Sequence, residues 1–139
     1  MPFLDVRLAP RRTEQGLPGK AASILAELTA RYLKKKPEVT AVAIQLVEPT
    51  HWFVAGRSLA EQGKASFFLD VRVTAGTNTK DELAAYVREV FRAMGVLLGA
   101  LQEESYVHVH EVPAHGYGYG GLTQEHRYVR STPEEGPRR

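Results

Sequence analysis

Hydrophobic and polar residues alternate from Phe3 to Leu8: Leu4, Val6 and Leu8 share one face, and Phe3, Asp5 and Arg7 share the other. A period of two predicts a half-buried strand over about residues 3–8. Arg11, Arg12, Gly16 and Pro18 then form a loop into a helix, where Pro18 suits the first turn because its missing N–H is not needed there. Leu17, Ala21, Ile24, Leu25, Leu28 and Tyr32 recur at helical spacing, with Lys20, Ser23, Glu27, Arg31 and Lys34 on the solvated side. Lys34-Lys35-Lys36 closes the helix against the negative end of its dipole, and Pro37 stops it. This basic run is read as a solvated helix end in preference to a nucleic-acid patch.

Val39 to Glu48 is β-branched and apolar enough for a second strand. In a third, about Ser66–Ala75, Phe67, Leu69, Val71 and Val73 oppose Phe68, Asp70, Arg72 and Thr74. Thr79-Lys80-Asp81-Glu82 has capping-box spacing and opens a second helix. Leu83, Tyr86, Val87, Val90, Phe91, Met94, Leu97 and Leu98 give that helix a broad apolar stripe, which reads as core. Tyr106 to Glu111 is a fourth strand, and the Pro- and charge-rich segment Ser131–Arg139 reads as a loose tail.

The pattern repeats. Phe3-Leu4-Asp5-Val6-Arg7 returns as Phe68-Leu69-Asp70-Val71-Arg72, a shift of 65 residues. Each copy leads into a turn, an amphipathic stretch, a second strand and a glycine-bearing aromatic loop. Two β-α-β units predict an α/β fold: a four-stranded mixed sheet with two helices on one face. The expected boundaries are one domain over residues 1–130, with repeats 2–64 and 65–130, then a tail over 131–139. The other sheet face would carry Phe3, Asp5, Arg7, Phe68, Asp70, Arg72, Tyr106, His108 and His110 with no helix to cover it. Such a face predicts an oligomer interface or lumen.

Composition narrows the function classes. A chain of 139 residues has room for one core. No apolar run approaches the roughly 18–20 residues of a membrane span. The N-terminus lacks a signal-peptide pattern, so a cytoplasmic location is expected. Cysteine is absent, which excludes thiol catalysis and cysteine-ligated metal. The net charge of +2 is too balanced to argue for nucleic acid or a membrane surface.

Pro2 is the candidate catalytic residue. If Met1 is removed, Pro2 carries a free secondary amine, whereas an internal proline nitrogen is a tertiary amide that is neither basic nor a donor. A terminal amine titrates near 7.7–8.0 for an ordinary α-amino group, and burial or nearby cations lower that value. An amine poised near the working pH is a suitable general base.

Together with the repeat, this end resembles the tautomerase superfamily, which includes 4-oxalocrotonate tautomerase and the fused two-repeat dehalogenases and decarboxylases. The loop Glu111-Val112-Pro113-Ala114-His115-Gly116-Tyr117-Gly118-Tyr119-Gly120-Gly121 is similar to the acidic, aromatic, glycine-rich hairpin of 4-oxalocrotonate tautomerase. Glu48 to Gly56 is a weaker copy. The resemblance implies a homotrimer with one site per chain, since Phe67 aligns with Pro2 and offers no amine. It implies a cofactor-independent keto–enol tautomerase acting on an α-keto acid or its enol, with Pro2 as base and then acid. It places substrate-binding roles on Arg12, with Arg11 beside it, and on the hairpin aromatics Trp52 and Tyr117. The family's second arginine falls on Ala43 and Tyr106, so Arg72 is a candidate replacement, or else a partner of Asp70 or Asp5. The arginines of the fused dehalogenases fall on Thr74 and Thr77, which weakens a hydration reading.

Two alternatives remain at this level. One is a related proline-dependent dehalogenase, decarboxylase or hydratase. The other is a non-enzymatic trimer that binds a ligand, or a metal through His108, His110 and His115, since His-x-His on a strand is a plausible start of a metal site. The Gly116–Gly121 run follows a strand but opens no expected helix, so no phosphate loop or nucleotide cofactor is predicted.

Overall fold

A computed structural model describes residues 2–131. The elements are β1 (Phe3–Ala9), α1 (Leu17–Leu33), β2 (Ala41–Leu46), β3 (Phe53–Val54), β4 (Arg57–Ser58), α2 (Leu59–Gln62), β5 (Ser66–Thr74), α3 (Lys80–Leu98), β6 (Tyr106–Val112), β7 (Gly118–Tyr119), β8 (Leu122–Thr123) and α4 (Gln124–Ser131). The main sheet runs β2-β1-β5-β6, with β1 parallel to β2, β5 parallel to β6, and β1 antiparallel to β5. The two β-α-β units therefore meet at an antiparallel seam. Asp5 lies directly opposite Asp70 in that seam, Phe3 opposite Arg72 and Arg7 opposite Phe68, so equivalent residues of the two repeats face one another across a local twofold axis.

The alternation read from the sequence decides which sheet face is covered. Leu4, Val6, Leu8, Phe67, Leu69, Val71 and Val73 are buried under α1 and α3. Each helix contributes one stripe: Leu17, Ala21, Leu25 and Leu33 from α1, and Tyr86, Val90, Met94 and Leu98 from α3. The polar pair in this interior is satisfied. Thr29 Oγ1 donates to the Leu25 carbonyl at 2.7 Å and lies 2.8 Å from the Tyr86 hydroxyl. Burial pushes the Tyr86 phenol up to about 12.

Helix ends follow local chemistry. Thr79 Oγ1 accepts from the Glu82 N–H at 3.1 Å, and the Glu82 carboxylate accepts from the Thr79 N–H at 2.9 Å, which completes the capping box. Asn78 Nδ2 donates to the Leu33 carbonyl at 3.0 Å, tying the start of α3 to the end of α1. The second strand starts two residues later than expected. Pro37–Val39 form a 3-10 turn, and Thr40 Oγ1 donates to the Lys36 carbonyl at 2.7 Å, which holds that turn out of the sheet. Residues 124–131 form α4, a helix absent from the sequence reading, which ended the domain at residue 130. Apart from Ser131, the expected tail lies outside the described residues.

Candidate active site

Pro2 is buried at the head of β1, and its carbonyl accepts from the Ala41 N–H at 3.2 Å. It lines a hollow of about 480 Å³ bounded by Phe3, the Glu38–Ala41 stretch and the Tyr117–Tyr119 side of the last hairpin. The walls are mainly carbon, with exposed Glu38 among the lining residues. Tyr117 is fixed from behind: its hydroxyl lies 2.5 Å from Thr74 Oγ1, and its carbonyl accepts from the Gln124 N–H at 2.8 Å. The hairpin closes tightly because residue 118 is glycine. A Cβ there would fall 2.0 Å from the Leu122 carbonyl oxygen, a contact no side chain survives.

The remaining sequence candidates lie elsewhere in the chain. Arg11 and Arg12 are exposed at the opposite end of β1 from Pro2, beside a separate hollow of about 150 Å³. Arg11 Nη2 lies 3.2 Å from where a Gly99 Cβ would stand, at the C-terminal end of α3, where the helix dipole favours a cation. Trp52 lines a hollow of about 350 Å³ with Arg7, His51, Phe53 and Phe68. The 65-residue shift carries Trp52 onto Tyr117 and Phe68 onto Phe3, so this hollow is the repeat-one counterpart of Pro2's. Phe67, at the counterpart of Pro2, is 1% exposed and packs into the core.

Arg72 lies on the uncovered sheet face beside Phe3, and its guanidinium is 3.6 Å from Asp70 Oδ2. Tyr106 donates its hydroxyl to the Glu104 carboxylate, which raises the phenol above its ordinary value, and it pairs with Phe68 at the far end of the sheet. One chain thus brings Pro2 and Tyr117 together and leaves Arg11, Arg12, Trp52 and Tyr106 outside their hollow. The wall from Glu38 to Ala41 and the Thr74 anchor were missed in the sequence, where neither residue type signals a site.

His108 and His110 share the uncovered face of β6 with ring centroids 6.0 Å apart, and His110 Nε2 lies 3.4 Å from Asp70 Oδ1. His115 lies beyond the strand, in the 3-10 turn Ala114–Gly116. Among the described residues no three His, Cys, Asp or Glu side chains converge as metal ligands. Thr77, one of the two threonines at expected arginine positions, accepts a hydrogen bond from Lys35 Nζ at 2.8 Å.

No family model matches the chain, and no curated protein matches it. Solved structures do. A symmetric trimer of a fused 4-OT (4-oxalocrotonate tautomerase) superposes with a TM-score of 0.75 at 18% identity, over 88% of this chain and 96% of that one. A protein solved after inactivation by 2-oxo-3-pentynoate gives 0.76 at 12% identity, over 89% and 98%. A member of the cis-3-chloroacrylic acid dehalogenase family gives 0.73 at 18% identity, over 94% and 92%. The chain shares the fold of these structures, with two β-α-β repeats in one polypeptide.

Proposed function

We propose that this chain is a cofactor-independent keto–enol tautomerase for α-keto acids, with the Pro2 amine as its base, working as a homotrimer. The observation that carries the reading is the position of Pro2: buried, heading β1, and facing a hollow walled by Tyr117 and the 38–41 stretch. Once Met1 is removed, the nitrogen is a secondary amine in a largely apolar setting. An apolar setting disfavours the protonated form of an amine, which suits a general base. In ketonisation the amine takes the enol hydroxyl proton and leaves an enolate. The enolate carbon then takes that proton from the ammonium as the carbonyl forms. Atoms balance, and no oxidant or second substrate enters. Thr74 and Thr77 stand where the resemblance to the fused dehalogenases expects arginines, so proton transfer, which asks least of the site, is preferred.

Two features support the trimer. The sheet face opposite the helices leaves Phe3 48% and Tyr106 51% exposed. The edge strand Ala41–Leu46 carries no charge, proline or bulge to block pairing with another chain.

Intact mass of the purified protein is expected to show loss of Met1. Pro2→Ala is expected to lower kcat/KM for phenylenolpyruvate ketonisation at least about tenfold, on the order of 1.4 kcal/mol of transition-state stabilisation. Treatment with 2-oxo-3-pentynoate is expected to add its mass to the N-terminal peptide. Unchanged turnover in Pro2→Ala removes the proline from the mechanism, and a retained Met1 in active protein removes the amine.

A further inference from the structure

The hollow beside Trp52, about 350 Å³, is the repeat-one counterpart of Pro2's, yet it is built from different side chains. The 65-residue shift puts His51 and Phe53 where the second repeat has Gly116 and Gly118. Gly118 lets the second hairpin close tightly, whereas Phe53 adds a ring to the lining of the first hollow. With Trp52 and Phe68 it makes three aromatic walls, and no carboxylate lines the hollow among the described residues. The hairpin that carries Trp52 and Phe53 is held from beneath. The Leu59 N–H donates to the Trp52 carbonyl at 2.9 Å. Gln62 Nε2 donates to the Val54 and Arg57 carbonyls at 3.1 and 3.0 Å, and Gln62 Oε1 accepts from Gln102 Nε2 at 2.7 Å. Walls fixed in this way stand ready before a ligand arrives, which lowers the ordering cost of binding. Phe53 is nevertheless 61% exposed, so its ring is left in water with room for a flat group against it.

The two repeats also use an equivalent arginine differently. Arg72 stands 3.6 Å from the Asp70 carboxylate. Arg7, its counterpart, makes no ion pair among the described residues, with Asp5 or with any other acid. Its guanidinium carbon lies instead 5.8 Å from the centroid of the Phe68 ring, and both residues line the hollow. A cation without a counter-charge beside three aromatic walls matches an anion carried on a flat ring. The guanidinium fork takes a carboxylate through two parallel hydrogen bonds, and the walls take the ring by stacked or edge-on contact. Pro2 has no equivalent here, because Phe67 holds its position and packs into the core.

We propose that the repeat-one hollow is a second binding site, separate from Pro2's, for an aromatic carboxylate whose ring lies against Trp52, Phe53 and Phe68 and whose carboxylate is held by Arg7. The site does not depend on the tautomerase reading. Arg7 and Phe68 also border the sheet face assigned to the trimer. Phe3 borders that face in the same way at Pro2's hollow, so an assembly that leaves one hollow open leaves the other open by the local twofold.

Trp52 is the single tryptophan of the chain, so its fluorescence reports on this hollow. The test titrates the full chain with phenylacetate, phenylacetamide and cyclohexylacetate. The amide keeps the ring and drops the charge, and cyclohexylacetate keeps the charge and drops the flat ring. Phenylacetate is expected to change the Trp52 emission saturably, and to bind about tenfold or more tighter than the amide and about threefold or more tighter than cyclohexylacetate. Arg7→Gln is expected to shrink the first ratio to below about threefold, and Phe53→Ala to bring the second close to one. Both side chains are exposed, and circular dichroism checks that each variant folds. Arg12→Gln, in the neighbouring hollow that shares Val47, is expected to leave both ratios unchanged. No saturable change by about 10 mM phenylacetate overturns the proposal. So does a charge preference that survives Arg7→Gln, or one that is lost in Arg12→Gln instead. The measurement needs no turnover, so its failure leaves the tautomerase reading intact, and an inactive Pro2 leaves this site intact.

Discussion

The Tyr117 hydroxyl lies 2.5 Å from Thr74 Oγ1, joining the last hairpin to the end of β5. The ring that walls Pro2's hollow is thus oriented by a residue outside the hollow's lining. Tyr117→Phe and Thr74→Val each remove that bond and keep the shape. Each is expected to cost about 1 kcal/mol in kcat/KM, read mainly in KM. The double variant is expected to lose little more than either single one, because both act through one contact. Fully additive losses show that the two residues act separately.

Burial of Tyr86 sets an alkaline limit on stability, and the Thr29 contact offsets it only in part. An unfolded tyrosine loses its proton near 10, and Tyr86 in the folded chain holds it to about 12. Between those values the unfolded state binds fewer protons, so stability falls as pH rises. The contribution is fully present below pH 10 and declines by roughly 2–3 kcal/mol toward pH 12. Urea unfolding of wild type and Tyr86→Phe across pH 9–12 checks it. The variant is expected to lose about 1 kcal/mol at neutral pH and to show a shallower alkaline decline.

Phe67 is expected to matter as bulk. It is 1% exposed, and its ring centroid is 6.3 Å from that of Phe91. Phe67→Ala is expected to destabilise the chain by about 3–5 kcal/mol in urea unfolding. A loss below about 1 kcal/mol means the interior refills the space.

The trimer has its own test at the sheet edge. The Ala41 and Val47 N–H groups donate inward, to the Pro2 and Leu8 carbonyls. Strand alternation therefore points the N–H of Leu46 toward the open side. Leu46 is 44% exposed, so Leu46→Pro removes an edge donor without breaking the β1 ladder. Sedimentation is expected to show a trimer for the wild type and smaller species for this variant, with Leu46→Val still trimeric. A trimeric Leu46→Pro chain places the interface elsewhere.

What the sequence revealed depended on how local the cause was. Alternation in Phe3–Leu8 and Ser66–Thr74, helical spacing in both long helices, and the Thr79–Glu82 cap are set by neighbours in the chain, so they could be read before any coordinates. The position of Tyr117 beside Pro2 came only through a resemblance, because those residues are brought together by tertiary contacts. Lys34–Lys36 reads correctly as a helix end, since a lysine triplet before proline satisfies the dipole rule. That α4 lies opposite the triplet across a hollow is a tertiary fact that no local rule carries. Helix α4 was missed because its sequence, Gln-Glu-His-Arg-Tyr-Val-Arg-Ser, offers no buried residue. Arg11 and Arg12 follow the strand that Pro2 begins, and a strand necessarily holds its two ends apart.

The antiparallel seam has a consequence for how the molecule tolerates change. Duplication gave each half the same outline, yet only one half opens on an imino acid, while the other seals that spot with an aromatic ring. The halves have become complementary and are no longer spare copies. A circular permutant beginning at Phe67 would keep every strand pairing, yet Pro2 would become internal and its nitrogen a tertiary amide, so under the proposed mechanism the fold would survive without its base.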